Sequence, residues 1–187
     1  SLGVGRSGHT ATLLVDGRVL VVGGSGDRTA EVYDPRSGGF SLLAAEAAAF
    51  RRFHTATRLL DGRVLLAGGE DGEVINKSAE IFDPAENAFA PAGDLLFPRW
   101  LHAATLLDDG RVLVTGGSSV ADRSAELYDP SLRAFAAAGP MTTDPALGTE
   151  QSRTRHAATA LADGRVLVTG GDPEFLGGLL AAEIYEP

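Results

Sequence analysis

Four histidines recur at matching places along the chain, and histidine is the side chain best suited to metal binding and proton transfer near neutral pH. The steps between them are 45, 48 and 54 residues, and a repeat of this kind could gather them around one axis to hold a metal. We favour a structural interpretation, because a residue at the same register in every unit usually makes hydrogen bonds between neighbouring units. These residues are His9, His54, His102 and His156.

A second candidate for chemistry is a group of oxygen donors after the second glycine pair. Carboxylate and amide oxygens are the ligands that Ca²⁺ prefers. The spacing lacks that of a complete calcium loop, so a solvated acidic turn is the favoured interpretation. We expect no cofactor, and calcium is the alternative. The donors are Glu70, Asp71, Glu73 and Asn76.

Residues that depart from the repeat are candidates for contact with a ligand or partner. Trp100 is the only tryptophan, at a position that we align with Gly8, Phe53 and Thr154, and packing between units is the favoured alternative for it. The longest connection, 140–155, and the apolar last loop provide five further candidates. These are Asp144, Glu150, Phe175, Leu176 and Leu179.

The sequence contains no recognised catalytic pattern. It has no Gly-x-Ser-x-Gly elbow, no His-Glu-x-x-His and no phosphate-binding loop. It also has no cysteine, which excludes disulfides, thiolate metal sites and cysteine nucleophiles in this segment. We therefore expect no catalytic residues here, and a binding module is favoured over an enzyme.

Charge and hydropathy narrow the classes of partner. The net charge is −9, and an acidic surface repels phosphate backbones, so we expect no nucleic acid. No apolar run reaches the roughly 18 residues that a membrane span requires. A protein or a carbohydrate is the expected partner.

The elements that must position these residues follow from an internal repeat of four units. Each unit reads R-x-x-H, then Asp-Gly-Arg-Val, a Gly-Gly pair, and Ala-Glu-aliphatic-aromatic followed by Asp/Glu-Pro. We take the units to begin at Arg6, Arg52, Arg99 and Arg153. A period in the upper forties with four strand-like pieces is typical of propeller blades.

Each piece predicts one element of a sheet. Asp-Gly predicts a two-residue hairpin turn with positive φ at both residues. Arg-Val-Leu-Val predicts a strand buried on both faces, and the glycine pairs that end it allow close backbone approach. The pairs are Gly23-Gly24, Gly68-Gly69, Gly116-Gly117 and Gly170-Gly171.

Two sets of charged residues also recur, and we expect them to be framework residues. Because a buried carboxylate must be paired, the repeated glutamates and arginines on neighbouring strands are predicted to be partners of each other. The glutamates are Glu31, Glu80, Glu126 and Glu183, and the arginines are Arg18, Arg63, Arg111 and Arg165.

Together these pieces resemble the kelch repeat, in the form found in many bacterial proteins and in the galactose oxidase type of propeller. The resemblance runs from Arg6 to Pro187. It implies an all-β fold, a β-propeller of four kelch-type blades that are each a four-stranded antiparallel sheet, the last without its fourth strand. The fourth-strand aromatic is Phe here and usually Trp in the family. The blades would span about 6–51, 52–98, 99–152 and 153–187.

Kelch propellers generally have six or seven blades, so the closure of the ring is left open by the sequence. The chain could be a fragment or incomplete ring, a closed ring of four blades, or half of a ring of eight blades formed by two chains. Residues 1–5 are predicted to be the end of a preceding fourth strand, which could supply the missing edge.

The resemblance implies a non-catalytic interaction module that presents its loops to a protein or glycan. One alternative is a fragment of an enzyme similar to galactose oxidase, although its Tyr–Cys copper site cannot be built without cysteine. A structural module that self-associates or joins further blades is the other alternative. Bacterial proteins of this type are often exported, which favours an exported or extracellular location.

Overall fold

The computed structural model describes residues 1–24, 26, 28–117, 124–140, 153–172 and 182–186. Within these ranges every regular element is a β-strand, and no helix occurs. No described segment therefore provides a helix that could cross a membrane. The strands form four separate antiparallel sheets in which hydrogen-bonded neighbours follow one another along the chain.

Each sheet takes its strands from one continuous part of the sequence. Sheet 1 contains β1 (Thr10–Leu13), β2 (Val19–Val22), β3 (Ala30–Asp34) and β4 (Gly39–Leu42). Sheet 2 contains β5 (Thr55–Arg58), β6 (Val64–Ala67), β7 (Ser78–Asp83) and β8 (Ala88–Asp94). Sheet 3 contains β9 (Ala103–Leu106), β10 (Val112–Thr115), β11 (Ser124–Asp129) and β12 (Ala134–Pro140). Sheet 4 contains β13 (Ala157–Ala160), β14 (Val166–Thr169) and β15 (Ala182–Tyr185).

Consecutive sheets pack on one another, and their first strands lie side by side in the order β1, β5, β9 and β13. The hydrophobic core is consequently divided into three clusters, one at each junction between sheets. Strand β6 shows how one strand contributes to two of them. Val64 and Leu66 pack towards sheet 1, whereas Leu65 and Ala67 pack towards sheet 3. Because its alternate side chains enter different cores, this strand is apolar at every position, as expected.

The Asp-Gly turns differ from the predicted two-residue type. Only the glycine has positive φ, for example 87° at Gly17. Gly17 N–H donates to Leu14 O and Leu14 N–H donates to Arg18 O, so the loop has three residues and ends in a left-handed glycine. Asp16 accounts for the difference, because its carboxylate accepts the Arg18 backbone N–H at 3.0 Å.

These turns, together with the Asp-Pro turns between third and fourth strands, mark one edge of all the sheets, which we call the turn end. The glycine pairs that follow β2, β6, β10 and β14 and the segments that precede β1, β5, β9 and β13 mark the opposite edge, the loop end. Residues 1–5 lie at the loop end and form no strand, contrary to the prediction. Gly3 N–H donates to the Glu31 carboxylate at 2.7 Å instead of pairing with a sheet edge.

Candidate functional site

Each of the four sheets has one buried ion pair at its loop end. In sheet 3, Arg99 Nη2 lies 2.9 Å from Glu126 Oε1, and both side chains are fully buried. Arg99 also donates to Gly116 O at 2.6 Å and to Ser124 O at 3.0 Å, and so joins the end of β10 to the start of β11. The equivalent pairs are Arg6–Glu31, Arg51–Glu80 and Arg153–Glu183.

This arrangement corrects two predictions. The arginine of the second unit that corresponds to Arg6 is Arg51 and not Arg52, because Arg51 lies three residues before its histidine and is the residue bound to Glu80. The arginines of the Arg-Val-Leu-Val strands are not partners of the glutamates. They pair with the aspartate two residues earlier at the exposed turn end, as Arg18–Asp16, Arg63–Asp61, Arg111–Asp109 and Arg165–Asp163.

Three of the four histidines connect neighbouring sheets. His54 Nε2 lies 2.9 Å from Thr10 Oγ1 of sheet 1, and His102 Nε2 lies 2.9 Å from Thr55 Oγ1 of sheet 2. At the third junction His156 Nε2 lies 2.8 Å from Thr115 Oγ1. Burial lowers the pKa of His54 and of His102 to about 3 and that of His156 to about 4, with nearby positive charge adding to the effect. These imidazoles are therefore neutral structural groups.

The threonine that bonds to each histidine lies on the first strand of sheets 1 and 2 but on the second strand of sheet 3. Thr10 and Thr55 belong to first strands, where they lie opposite Val22 and Ala67. In sheet 3 the first-strand position is Ala103, and the hydroxyl is found on the residue paired with it, Thr115. Since paired residues occupy adjacent sites on one face of a sheet, the imidazole finds a hydroxyl in either case.

The first glycine of each pair makes room for the next sheet. A Cβ on Gly68 would lie 2.5 Å from Arg99 O and 2.8 Å from His102 Cε1. The second glycine binds the same neighbour, because Gly69 N–H donates to Arg99 O at 2.7 Å. Gly23–Gly24 and Gly116–Gly117 make the equivalent contacts.

We predict that Gly68→Ala destabilises the protein by about 2–5 kcal/mol, because the methyl group adds a clash at the sheet junction to the cost of a left-handed alanine. Gly164→Ala is the matched control, since Gly164 also has positive φ and has nothing within 4 Å of a built Cβ. It should cost only about 1–2 kcal/mol. Urea unfolding of both variants measures the difference, and equal losses would show that the junction tolerates the added methyl.

A polar cleft of about 420 Å³ opens at the loop end between sheets 1 and 2. It is lined by both cationic and anionic groups, with Arg52 Nη2 2.8 Å from Glu70 Oε1. Phe50, 41% exposed, provides an apolar surface beside them. The remaining lining residues are Ser7, Gly24, Gly26, Arg51, Asp71 and Glu73. This arrangement suits a ligand that has hydrogen-bonding groups and an apolar face.

Three of the four calcium candidates, Glu70, Asp71 and Glu73, line this cleft. The carboxylates of Glu70 and Asp71 already accept hydrogen bonds within the protein. Glu70 accepts the Gly72 N–H in addition to its ion pair with Arg52. Asp71 accepts the backbone N–H groups of Glu73 and Val74 at 3.0 and 2.8 Å. The Asn76 side-chain amide donates to Phe50 O. No group of three or more His, Asp or Glu side chains suited to a metal ion is found in the described ranges.

Trp100 corresponds to Ser7, Arg52 and Thr154, and not to Gly8 or Phe53 as we aligned it. The register is fixed by a series of backbone bonds in which Phe53 N–H donates to Gly8 O and Leu101 N–H donates to Phe53 O. Trp100 is half-buried, and its ring meets that of Phe53 edge-on, with centroids 5.7 Å apart. Its contact is therefore between sheets 2 and 3.

Five other candidate contact residues lie outside the described residues: Asp144, Glu150, Phe175, Leu176 and Leu179. Sequence reasoning missed Arg52 and Phe50 as parts of a cleft, and the departure of Arg52 from the residues at its equivalent positions was the available signal.

A scan against protein-family models finds no match to this chain, and no curated protein matches it significantly.

Proposed function

We propose that the chain is part of a kelch-type β-propeller and acts as a non-catalytic binding module that presents its loop end to a protein or a glycan. The four repeated sheets fit the blades of such a propeller. The observation that carries the proposal is a difference between the residues that repeat in every unit and those that vary. Three of the four repeated histidines bond to a neighbouring sheet, and the repeated loop-end arginines and glutamates form ion pairs. The cleft at the loop end is instead lined mainly by residues that differ between the units.

The charged groups of the cleft should interact differently with a sugar and with a basic peptide. Arg51 and Arg52 are ion-paired with Glu80 and Glu70, so Asp71 and Glu73 give the cleft a negative charge. A sugar would accept hydrogen bonds from Arg52 and donate hydroxyl hydrogens to the carboxylates. A basic peptide would be attracted by the carboxylates and repelled by Arg52.

Amide-shift titration by NMR, with neutral oligosaccharides and with a lysine-containing peptide as separate probes, tests the proposal. We expect one of them to shift amides around the cleft, such as Gly26 and Gly72. Arg52→Ala should weaken a bound sugar about tenfold or more, the loss of a charged hydrogen bond, and should strengthen a bound peptide. Arg36→Ala, an exposed change at the turn end, is the control. Shifts confined to the turn end, or none with either probe, would contradict the assignment of the cleft.

A further inference from the structure

Every junction between sheets joins two different surfaces. One is the face that a sheet turns to its successor, which we call the forward face. The other is the face that it turns to its predecessor, the backward face. At the first junction the forward face of sheet 1 contains Leu14, Leu20, Val22, Ala30 and Val32, and the backward face of sheet 2 contains Ala56, Val64, Leu66, Phe82 and Phe89.

The same two surfaces meet at the other junctions. Sheet 2 offers Leu59, Leu65, Ala67, Ala79 and Ile81 to Ala104, Val112, Val114, Tyr128 and Phe135 of sheet 3. Sheet 3 offers Leu107, Leu113, Ala125 and Leu127 to Ala158, Val166, Val168 and Tyr185 of sheet 4. The chain thus shows three times that a forward face and a backward face are complementary.

One face of each kind has no such partner within the described part of the chain. No packing comparable to that between consecutive sheets joins the described residues of sheet 4 to sheet 1. Ile184 on the forward face of sheet 4 is 40% exposed, whereas Val32 and Ile81 at the equivalent position are 5% and 4% exposed. On the backward face of sheet 1, Val21 is buried, whereas Ala11 is exposed and Tyr33 is half-buried.

The polar groups of a junction are present on these two faces as well. Thr169, the residue equivalent to Thr115, is half-buried on sheet 4. His9, the residue equivalent to His156, is exposed on sheet 1. A junction between these faces would reproduce the hydrogen bond that His156 and Thr115 form at 2.8 Å.

We propose that the forward face of sheet 4 binds the backward face of sheet 1 in a second copy of this chain, and that two copies close a ring of eight sheets. The junction is heterologous, and closure with two identical junctions leaves neither face exposed. At each junction His9 of one copy bonds to Thr169 of the other. This inference goes beyond the binding role of the loop end, because it uses surfaces remote from the cleft.

Light scattering on a sizing column, over a range of concentrations, tests the assembly. We expect twice the mass of the 19.3-kDa chain. Ala11→Arg and Ile184→Arg each place a charge on one of the two faces and should each weaken the dimer at least about 100-fold. Both positions are exposed in the single chain, so folding should be retained. Leu132→Arg, at an exposed turn-end site, should leave the dimer intact.

Mixing distinguishes this junction from a symmetric contact. A mixture of the Ala11→Arg and Ile184→Arg chains has one intact junction and should form a heterodimer, although each chain alone stays monomeric. A parent chain that is monomeric at every concentration would overturn the proposal, as would a dimer that both arginine variants leave intact.

The absence of cysteine permits a direct test of the His9–Thr169 contact. A His9→Cys chain mixed with a Thr169→Cys chain should give a disulfide-linked heterodimer on oxidation. The internal pair Thr115→Cys with His156→Cys, in one chain, is the geometric control. Cross-linking in the control without any in the mixture would overturn the proposed junction, and so would linkage of His9→Cys chains to each other alone.

Discussion

Acidification from pH 7 to pH 5 should lower the free energy of unfolding by about 6 kcal/mol. Burial holds the pKa of His54 and His102 at about 3 and that of His156 at about 4, so all three are neutral in the folded protein at pH 5. In the unfolded chain an imidazole has a pKa near 6.5 and is protonated at that pH. The unfolded state therefore binds about three more protons, and each histidine contributes about 2 kcal/mol to the loss.

Because the histidine pKa values are lowered in the folded protein, they determine both the direction of the stability change and the pH range in which it occurs. A lowered histidine pKa gives stability that is complete above about pH 6.5 and is lost as the pH falls towards 3–4. The aspartates at the turn end, such as Asp109, have a lowered pKa because of the Arg111 backbone N–H, so they act at lower pH. The range between pH 6 and pH 5 consequently reports on the histidines.

Urea unfolding at steps of pH measures this slope. His102→Gln removes one titrating group and leaves a side-chain amide near Thr55, so the proton uptake on unfolding should fall from about three to about two. A midpoint that does not change between pH 7 and pH 5 would show that the three imidazoles are not held neutral.

Arg99→Ala should cost about 3–5 kcal/mol of stability, which is the usual effect of removing one partner of a fully buried ion pair. The change leaves the Glu126 carboxylate buried with only the N–H groups of Leu96 and Phe97 as donors, at 2.7 and 3.3 Å. It also frees Gly116 O and Ser124 O from their bonds to the guanidinium.

The chain provides a matched control in Arg111→Ala. Arg111 and Asp109 are 38% and 48% exposed, and exposed pairs contribute about 0–1 kcal/mol. Adding Glu126→Gln to Arg99→Ala should recover part of the loss, since the amide oxygen still accepts from Leu96 without an unpaired charge. Comparable losses for Arg99→Ala and Arg111→Ala in thermal or urea unfolding would be incompatible with the buried pair described here.

Local chemistry allowed the sheets to be predicted from the sequence. The Arg-Val-Leu-Val runs predicted strands covered on both faces, and β6 sends alternate residues into two cores for that reason. The partners of charged side chains were harder to predict, because they depend on how the connecting segments cross the sheet. Arg51 and Arg52 are adjacent and chemically identical, and only the register before His54 distinguishes the buried residue from the one at the cleft.

The cleft could not be predicted, because its lining residues come from parts of the chain that are distant in sequence. Ser7 and Glu70 belong to different units and meet only when sheets 1 and 2 pack. The turn type was missed for a different reason. The Asp16 carboxylate accepts a hydrogen bond from the Arg18 backbone N–H, and a rule based on backbone φ alone does not include this bond.

The threonine that bonds to a histidine of the next sheet lies on the first strand in some units and on the second strand in another. This difference bears on how the chain can gain or lose units. A unit with Thr10 on its first strand and a unit with Thr115 on its second strand offer the next imidazole a hydroxyl at neighbouring sites on one face. Each therefore accepts the same successor. Duplication or deletion of a whole unit would bring together two sheets that were not previously adjacent and still preserve the bond at the new boundary. Recombination between units is thus tolerated by the chemistry of the junction.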